Sequence, residues 1–223
     1  MIVNILGLNT HTASVQHREI FSSIQDNILE NLNNCLSYTQ ASEIMILNTC
    51  FRFEIIGINT CPQAMLGWLH QTFSIPVTEL ESMTYQKQND TAIKHLMKTA
   101  SGLDSPLLGE TQILSQLKTA YQQAQTANTI GTILHRILQS TFETAKCIHS
   151  QTAINQKTTS LASLIHQRIS NNFDLDKQKL LFIGYGNIMQ SILPYFTPYK
   201  NLTLMIANRS AITTTATSHC YTL

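Results

Sequence analysis

Charge is what this sequence has least of. Asp, Glu, Lys and Arg make up 12% of the 223 residues, about half the share usual in a soluble protein, and Thr, Ser, Asn and Gln fill the gap. The formal net charge of +1 excludes a strong general pull on polyanions, so a nucleic-acid partner has to be held by local basic groups and shape. Long apolar runs are missing too. No stretch approaches the roughly 20 residues of a membrane-spanning helix. The start, Met1-Ile2-Val3-Asn4-Ile5-Leu6-Gly7, has neither the basic flank nor the long apolar core of a signal peptide. The five cysteines, Cys35, Cys50, Cys61, Cys147 and Cys220, form no CxxC pair and no zinc-ligand spacing. No metal site is therefore expected, and an odd, scattered set without an export signal points to reduced thiols and a cytoplasmic setting. Internal repeats are also absent.

What is present is enough apolar material, 43% of the chain, for one large domain or two smaller ones. The β-rich residues 2–8 predict a first strand, and apolar residues at three-to-four spacing predict a helical stretch over 15–37. Ile44-Met45-Ile46-Leu47 and residues 53–58 read as two short buried strands, with 48–52 as the turn between them or an interruption within one hairpin. Residues 62–73, opening with Pro62, and 90–101 read as helices. Gly102, Pro106 and Gly109 make 102–110 a loop, and helices dominate from 111 to 170 with breaks near 128–131 and 155. Two further strands are expected at 179–184 and 202–206, and the Thr-rich residues 210–223 are expected to lack regular structure. The overall expectation is α/β, with a compact α/β unit at the N-terminal end.

Four places could carry chemistry. Cys50 lies in Asn48-Thr49-Cys50-Phe51-Arg52-Phe53-Glu54. A lone cysteine at the end of an apolar strand is usually a small buried hydrophobe. Arg52 alters that reading, since a guanidinium two residues away in a turn can lower a thiol pKa and clamp a carboxylate. His95, on a helix, is either a satisfied histidine near the core or an acid–base group; spacing leaves both open. Residues 101–112 are an ordinary connector or a binding loop, with Ser105, Glu110 and Gln112 as orienting hydrogen-bonders and Gln116 one turn beyond Gln112. Gly184-Tyr185-Gly186-Asn187-Ile188-Met189 follows a strand, as in a dinucleotide-binding turn. Met189 stands where a third glycine is usual and is expected to crowd that turn. Asn208-Arg209-Ser210, at the end of the next strand, suits the extra phosphate of NADP better than NAD. A strand–turn–helix with no ligand is the alternative.

These segments together resemble the glutamyl-tRNA reductase family. Residues 7–15 running on to Arg18-Glu19 are similar to its opening motif, and 48–54 to its TCNRTE-type catalytic motif. Residues 101–118 follow its SGLDS-x-x-LGE-x-QIL-x-Q-x-K signature. Ala145-Lys146, Thr152-Ala153-Ile154 and residues 160–163 are similar to the segment leading into its nucleotide domain.

The resemblance implies NADPH-dependent reduction of glutamyl-tRNA(Glu) to glutamate-1-semialdehyde, the entry to tetrapyrrole synthesis from glutamate. Cys50 is then the nucleophile that forms a thioester, and His95 a histidine important for activity. Thr49, Phe51, Arg52, Ser105, Glu110, Thr111, Gln112 and Gln116 surround the glutamyl group, and 184–189 with 208–210 hold NADPH. Glutamate-1-semialdehyde aminomutase is a candidate recipient of the aldehyde, and the family is homodimeric. Phe51 and Phe53 replace polar residues that usually flank the arginine, which is expected to make the pocket rim more apolar. The resemblance divides the chain into an N-terminal α/β catalytic domain over 1–155 and an incomplete Rossmann-type NADP-binding domain over 156–223, with the second half of the latter, a spinal helix and the dimerisation domain expected to be missing. The alternative is accordingly a remnant that binds or hydrolyses glutamyl-tRNA without reducing it, or a plain binding module.

Overall fold

The structure is a computed structural model that describes residues 1–106, 108–155, 161–209 and 219–222. It divides into two compact units, Met1–Gln156 and Lys157–Leu223. The first is built on an antiparallel sheet of β1 (Val3–Asn9), β2 (Glu43–Asn48), β3 (Arg52–Ile58) and β4 (Tyr85–Gln88), in the order β2-β3-β1-β4. β1 and β3 are buried along nearly their whole length on both faces. Both strands are therefore largely apolar without strict alternation, and of the polar side chains they do carry, Asn4, Arg52 and Glu54 are buried with them.

The expected single helix over 15–37 is two, α1 (Val15–Ser22) and α2 (Ile28–Thr39), parted by a 3-10 turn at Ser23–Asn27. The break sits where Ser22 and Ser23 turn their hydroxyls back to the carbonyls of Glu19 and Ile20, a competition that weakens helix continuation. Next come α3 (Pro62–Phe73), α4 (Val77–Met83) and α5 (Asp90–Ala100), with β4 between the last two. α6 (Gln112–Thr126) and α7 (Thr132–Gln151) complete the unit, and α6 packs against β2. The short polar segments α4 and β4 have no sequence pattern of their own. β4 is defined by pairing with β1, Gly7 opposite Tyr85.

The second unit contains α8 (Leu161–Asn172), β5 (Lys179–Ile183), α9 (Asn187–Ile192), β6 (Thr203–Asn208) and β7 (His219–Thr222). Its three strands are parallel, in the order β5-β6-β7. β7 corrects the expectation that 210–223 has no regular structure: it is selected by backbone pairing with the edge of β6 and not by apolar alternation. Among the described residues the sheet thus has three strands, against an expectation of two. Met189, Ile192, Leu193, Phe196, Leu204 and Ile206 form this unit's core, separate from that of the first unit.

Candidate active site

The β2–β3 hairpin puts Cys50 at its tip. Thr49 donates its N–H to the Arg52 carbonyl (2.8 Å), and its hydroxyl accepts the N–H groups of Phe51 (3.2 Å) and Arg52 (3.1 Å). The Thr49 hydroxyl is therefore used to hold the turn. Cys50 is exposed and Phe51 half-buried beside it. Arg18, reaching over from α1, donates Nε to the Cys50 carbonyl (3.3 Å) and Nη1 to the Ala13 carbonyl (2.6 Å). The thiol is pushed up from its ordinary value, mainly by partial desolvation and further by the Glu110 carboxylate, against the pull of its own backbone N–H and of Arg18.

Arg52 is not among the groups whose field acts on the Cys50 thiol, where the expected partner would stand. It is buried and turned away from Cys50, into a cluster of carboxylates. Its Nη1 donates to Glu54 Oε1 (2.8 Å), Thr99 Oγ1 (3.1 Å) and Asp104 Oδ2 (3.2 Å), and its Nη2 to Asp104 Oδ2 (3.1 Å) and the Asp104 carbonyl. Strand geometry is the cause: residues two apart on β3 face the same way, so Arg52 stands beside Glu54. The carboxylates that it clamps belong to the chain itself.

Glu54 is fully buried and is the hub of this cluster. Its Oε1 also accepts the Tyr85 hydroxyl (2.6 Å) and His95 Nε2 (2.9 Å), while its Oε2 has no partner among the described residues. Burial alone would raise this carboxyl. The hydrogen bond and charge of His95, the Arg52 guanidinium and the Tyr85 hydroxyl outweigh burial and hold it at about 2. An ionised carboxylate only accepts, so His95 Nε2 carries the proton and the imidazole is locked in orientation. Gly7 makes the row possible. It pairs with Glu54 on one side and Tyr85 on the other, and a Cβ there would lie 2.8 Å from Glu54 Cγ and 2.9 Å from the Tyr85 ring. His95 and Asp104 border a cleft of about 470 Å³.

The 101–111 loop brings Asp104 to Arg52 and Glu110 to within electrostatic reach of Cys50. Its neck is closed by the Gly109 N–H donating to the Gly102 carbonyl (2.8 Å), and His149 Nε2 lies 3.1 Å from the Ser101 carbonyl. Ser105 and Glu110 are half-buried, and Thr111 and Gln112 are exposed at the start of α6. Gln116, half-buried, follows one turn later. Glu110 is the member of this group whose field reaches Cys50, and desolvation raises its own carboxyl. Phe53 corrects the expected apolar rim. It is fully buried on the opposite face of β3, stacked with Phe21 (centroids 4.8 Å apart) and Phe73 (6.4 Å).

In the second unit, Gly184 has φ +96°, and a Cβ on Gly184 or Gly186 would meet nothing within 4 Å. The Tyr185 N–H donates to Asn208 Oδ1 (3.2 Å), tying the turn to the end of β6, where Arg209 is exposed. The open face of this turn leaves room for a phosphate-bearing nucleotide. Met189 does not crowd the turn as expected; it points into the core, and Ile188 is the exposed neighbour. Asn187 opens α9, and Ser210 lies outside the described residues.

The family model described as "Glutamyl-tRNAGlu reductase, N-terminal domain" matches residues 6–152. The chain belongs to the glutamyl-tRNA reductase family. It is 35% identical over 206 residues to the glutamyl-tRNA reductase of Aromatoleum aromaticum and 36% over 211 residues to that of Pseudomonas aeruginosa, in each case over 92% of this chain and 49% of the relative. The chain thus spans about half the length of the curated relatives it matches. The solved glutamyl-tRNA reductase from Methanopyrus kandleri shares the fold, with a TM-score of 0.61 at 20% identity over 93% of this chain and 49% of that one.

Glu54, Asp104, Arg18 and Tyr85 are members of the site to which sequence alone assigns no role. Glu54 was legible, because a charge pair two residues apart on a buried strand has to face inward together. Asp104 and Arg18 lay within matched motifs but carried no signal of their partners. Tyr85 sits on a strand with no pattern.

Proposed function

We propose that this chain carries the acyl-transfer half of glutamyl-tRNA reduction: Cys50 takes the glutamyl group from glutamyl-tRNA(Glu) as a thioester. The observation that carries the reading is an exposed thiol at a hairpin tip beside Glu110, with a buried arginine–carboxylate–histidine cluster on the adjoining strand. The thiol loses its proton, with Glu110 the nearby carboxylate that accepts it, and the sulfur attacks the ester carbonyl carbon. The carbon–oxygen bond to the terminal ribose breaks, and the ribose oxygen leaves with a proton. Arg52 holds Glu54 from within and Glu54 fixes His95, so the imidazole that borders the cleft needs little reorganisation. Thr49 supports the reaction by holding the turn, and Ser105, Thr111, Gln112 and Gln116 offer hydrogen bonds to the glutamyl group alongside Phe51.

The turn at 184–189, a Rossmann-type phosphate turn in this reading, holds NADPH together with Asn208, Arg209 and Ser210. Bound NADPH would supply the hydride that turns the acyl group into glutamate-1-semialdehyde. The separate cores of the two units favour a second reading, deacylation without reduction, because the thiol site is complete within the first unit.

The test supplies glutamyl-tRNA and NADPH to the parent chain and to Cys50→Ser. Cys50-dependent semialdehyde supports the full reaction, and Cys50-dependent free glutamate alone supports the second reading. Deacylation that is the same in the parent and Cys50→Ser sinks both.

A further inference from the structure

Three of the five lysines between residues 1 and 156 meet in one place. The cleft beside His95 is lined by Lys87 from β4 and by Lys94 and Lys98 from α5. Helix and strand periods put them there. Lys94 and Lys98 are four residues apart on one face of α5, and Lys87 stands on the same face of β4 as Tyr85, with Nζ 5.8 Å from its ring centre. Among the described residues none of the three forms an ion pair, and the one carboxylate in the lining, Asp104, is taken up by Arg52. In a chain with a net charge of only +1, this is a concentration of uncompensated charge and not a by-product of basic composition. Compact ammonium groups without a fork geometry suit the diffuse charge of successive phosphates better than a single carboxylate.

We propose that this cleft holds the phosphodiester backbone at the acceptor end of the RNA whose terminal sugar is esterified. The inference rests on the glutamyl-tRNA reading and adds to it the anchor for the strand. Asp104 links the two places, because it walls the cleft and also belongs to the loop that carries Glu110. The lysines fix the position of the strand and the hairpin performs the chemistry, the usual division between backbone contacts and specific ones. NADPH also presents phosphates, so the source of the anion has to be separated by experiment.

The probe is a synthetic acceptor-stem hairpin ending in single-stranded CCA, without amino acid, titrated onto the full chain by fluorescence anisotropy across a salt series. Lys87→Ala/Lys94→Ala/Lys98→Ala should bind roughly 10- to 100-fold more weakly. Its log–log salt slope should be shallower by about 2, as expected for the loss of three contacts to a single strand. The triple Lys→Arg variant should bind like the parent, and circular dichroism melts of all three chains should coincide. The proposal is overturned if the parent does not bind the hairpin or if the triple alanine variant binds it unchanged. It is overturned also if that variant loses affinity for NADPH. Because the RNA is unacylated, Cys50 plays no part in the readout. Absence of thioester chemistry with intact lysine-dependent binding would remove the thiol reading alone.

Discussion

Glu54 shows at the level of one residue how a charge is kept inside this fold. Removing Arg52 leaves that carboxylate buried and short of its cation, so Arg52→Ala should lose about 3–5 kcal/mol in urea unfolding. The folded pKa of Glu54, about 2, lies below its ordinary value of 4.5. Its contribution to stability is therefore fully present above pH 4.5 and is lost as pH falls through 2. The urea midpoint should drop across that window, and Glu54→Gln should flatten the drop; an unchanged acid profile would count against the cluster. At Cys50 the expected signs are opposed. Glu110→Gln removes a negative neighbour, so the thiol pKa should fall and peptide-resolved alkylation of Cys50 near pH 7 should speed up. Deacylation should slow in the same variant if Glu110 receives the proton. Faster alkylation together with faster deacylation would exclude that role.

Among the elements, the central strands depend on what stands across from them. Gly7 leaves the space through which Tyr85 reaches Glu54, so Gly7→Ala should cost about 1–3 kcal/mol by forcing that row apart. Thermal melts of Gly7→Ala against the parent check this, and an unchanged midpoint would contradict it. A second case is the start of α7. Glu43 on β2 is buried and accepts the N–H groups of Ile133 (3.0 Å) and Leu134 (2.7 Å), two of the unpaired donors of a helix N-terminus. Glu43→Ala should lose about 1–3 kcal/mol, and hydrogen exchange should show the loss first in the opening turn of α7. The hairpin strands, α3 and the glycine-bounded loop were legible in sequence because each is set by local spacing and turn residues. α4, β4 and β7 were not, since their backbones are ordered by the segments they pair with or pack on.

For the whole molecule, the two units differ in how well they are closed. The first covers both faces of its central strands. In the second, β5 leaves Leu181 and Ile183 at 50% and 78% exposure, unusual for a parallel sheet. Calorimetry should therefore resolve two transitions, with the second unit melting first, and a single coincident transition would contradict this. Sequence by itself determined the strand and helix periods, the Cys50 hairpin, the pinched loop at 101–111 and the glycine turn at 184–186, because all of these depend on neighbours a few residues away. Only the tertiary structure decided that Arg52 serves Glu54 and Asp104, that Arg18 is the cation at the thiol, and that three lysines share one cleft. Strand order and register bring those groups together across 32 positions of chain for Arg18 and Cys50 and 52 for Arg52 and Asp104, and no local pattern encodes such pairings.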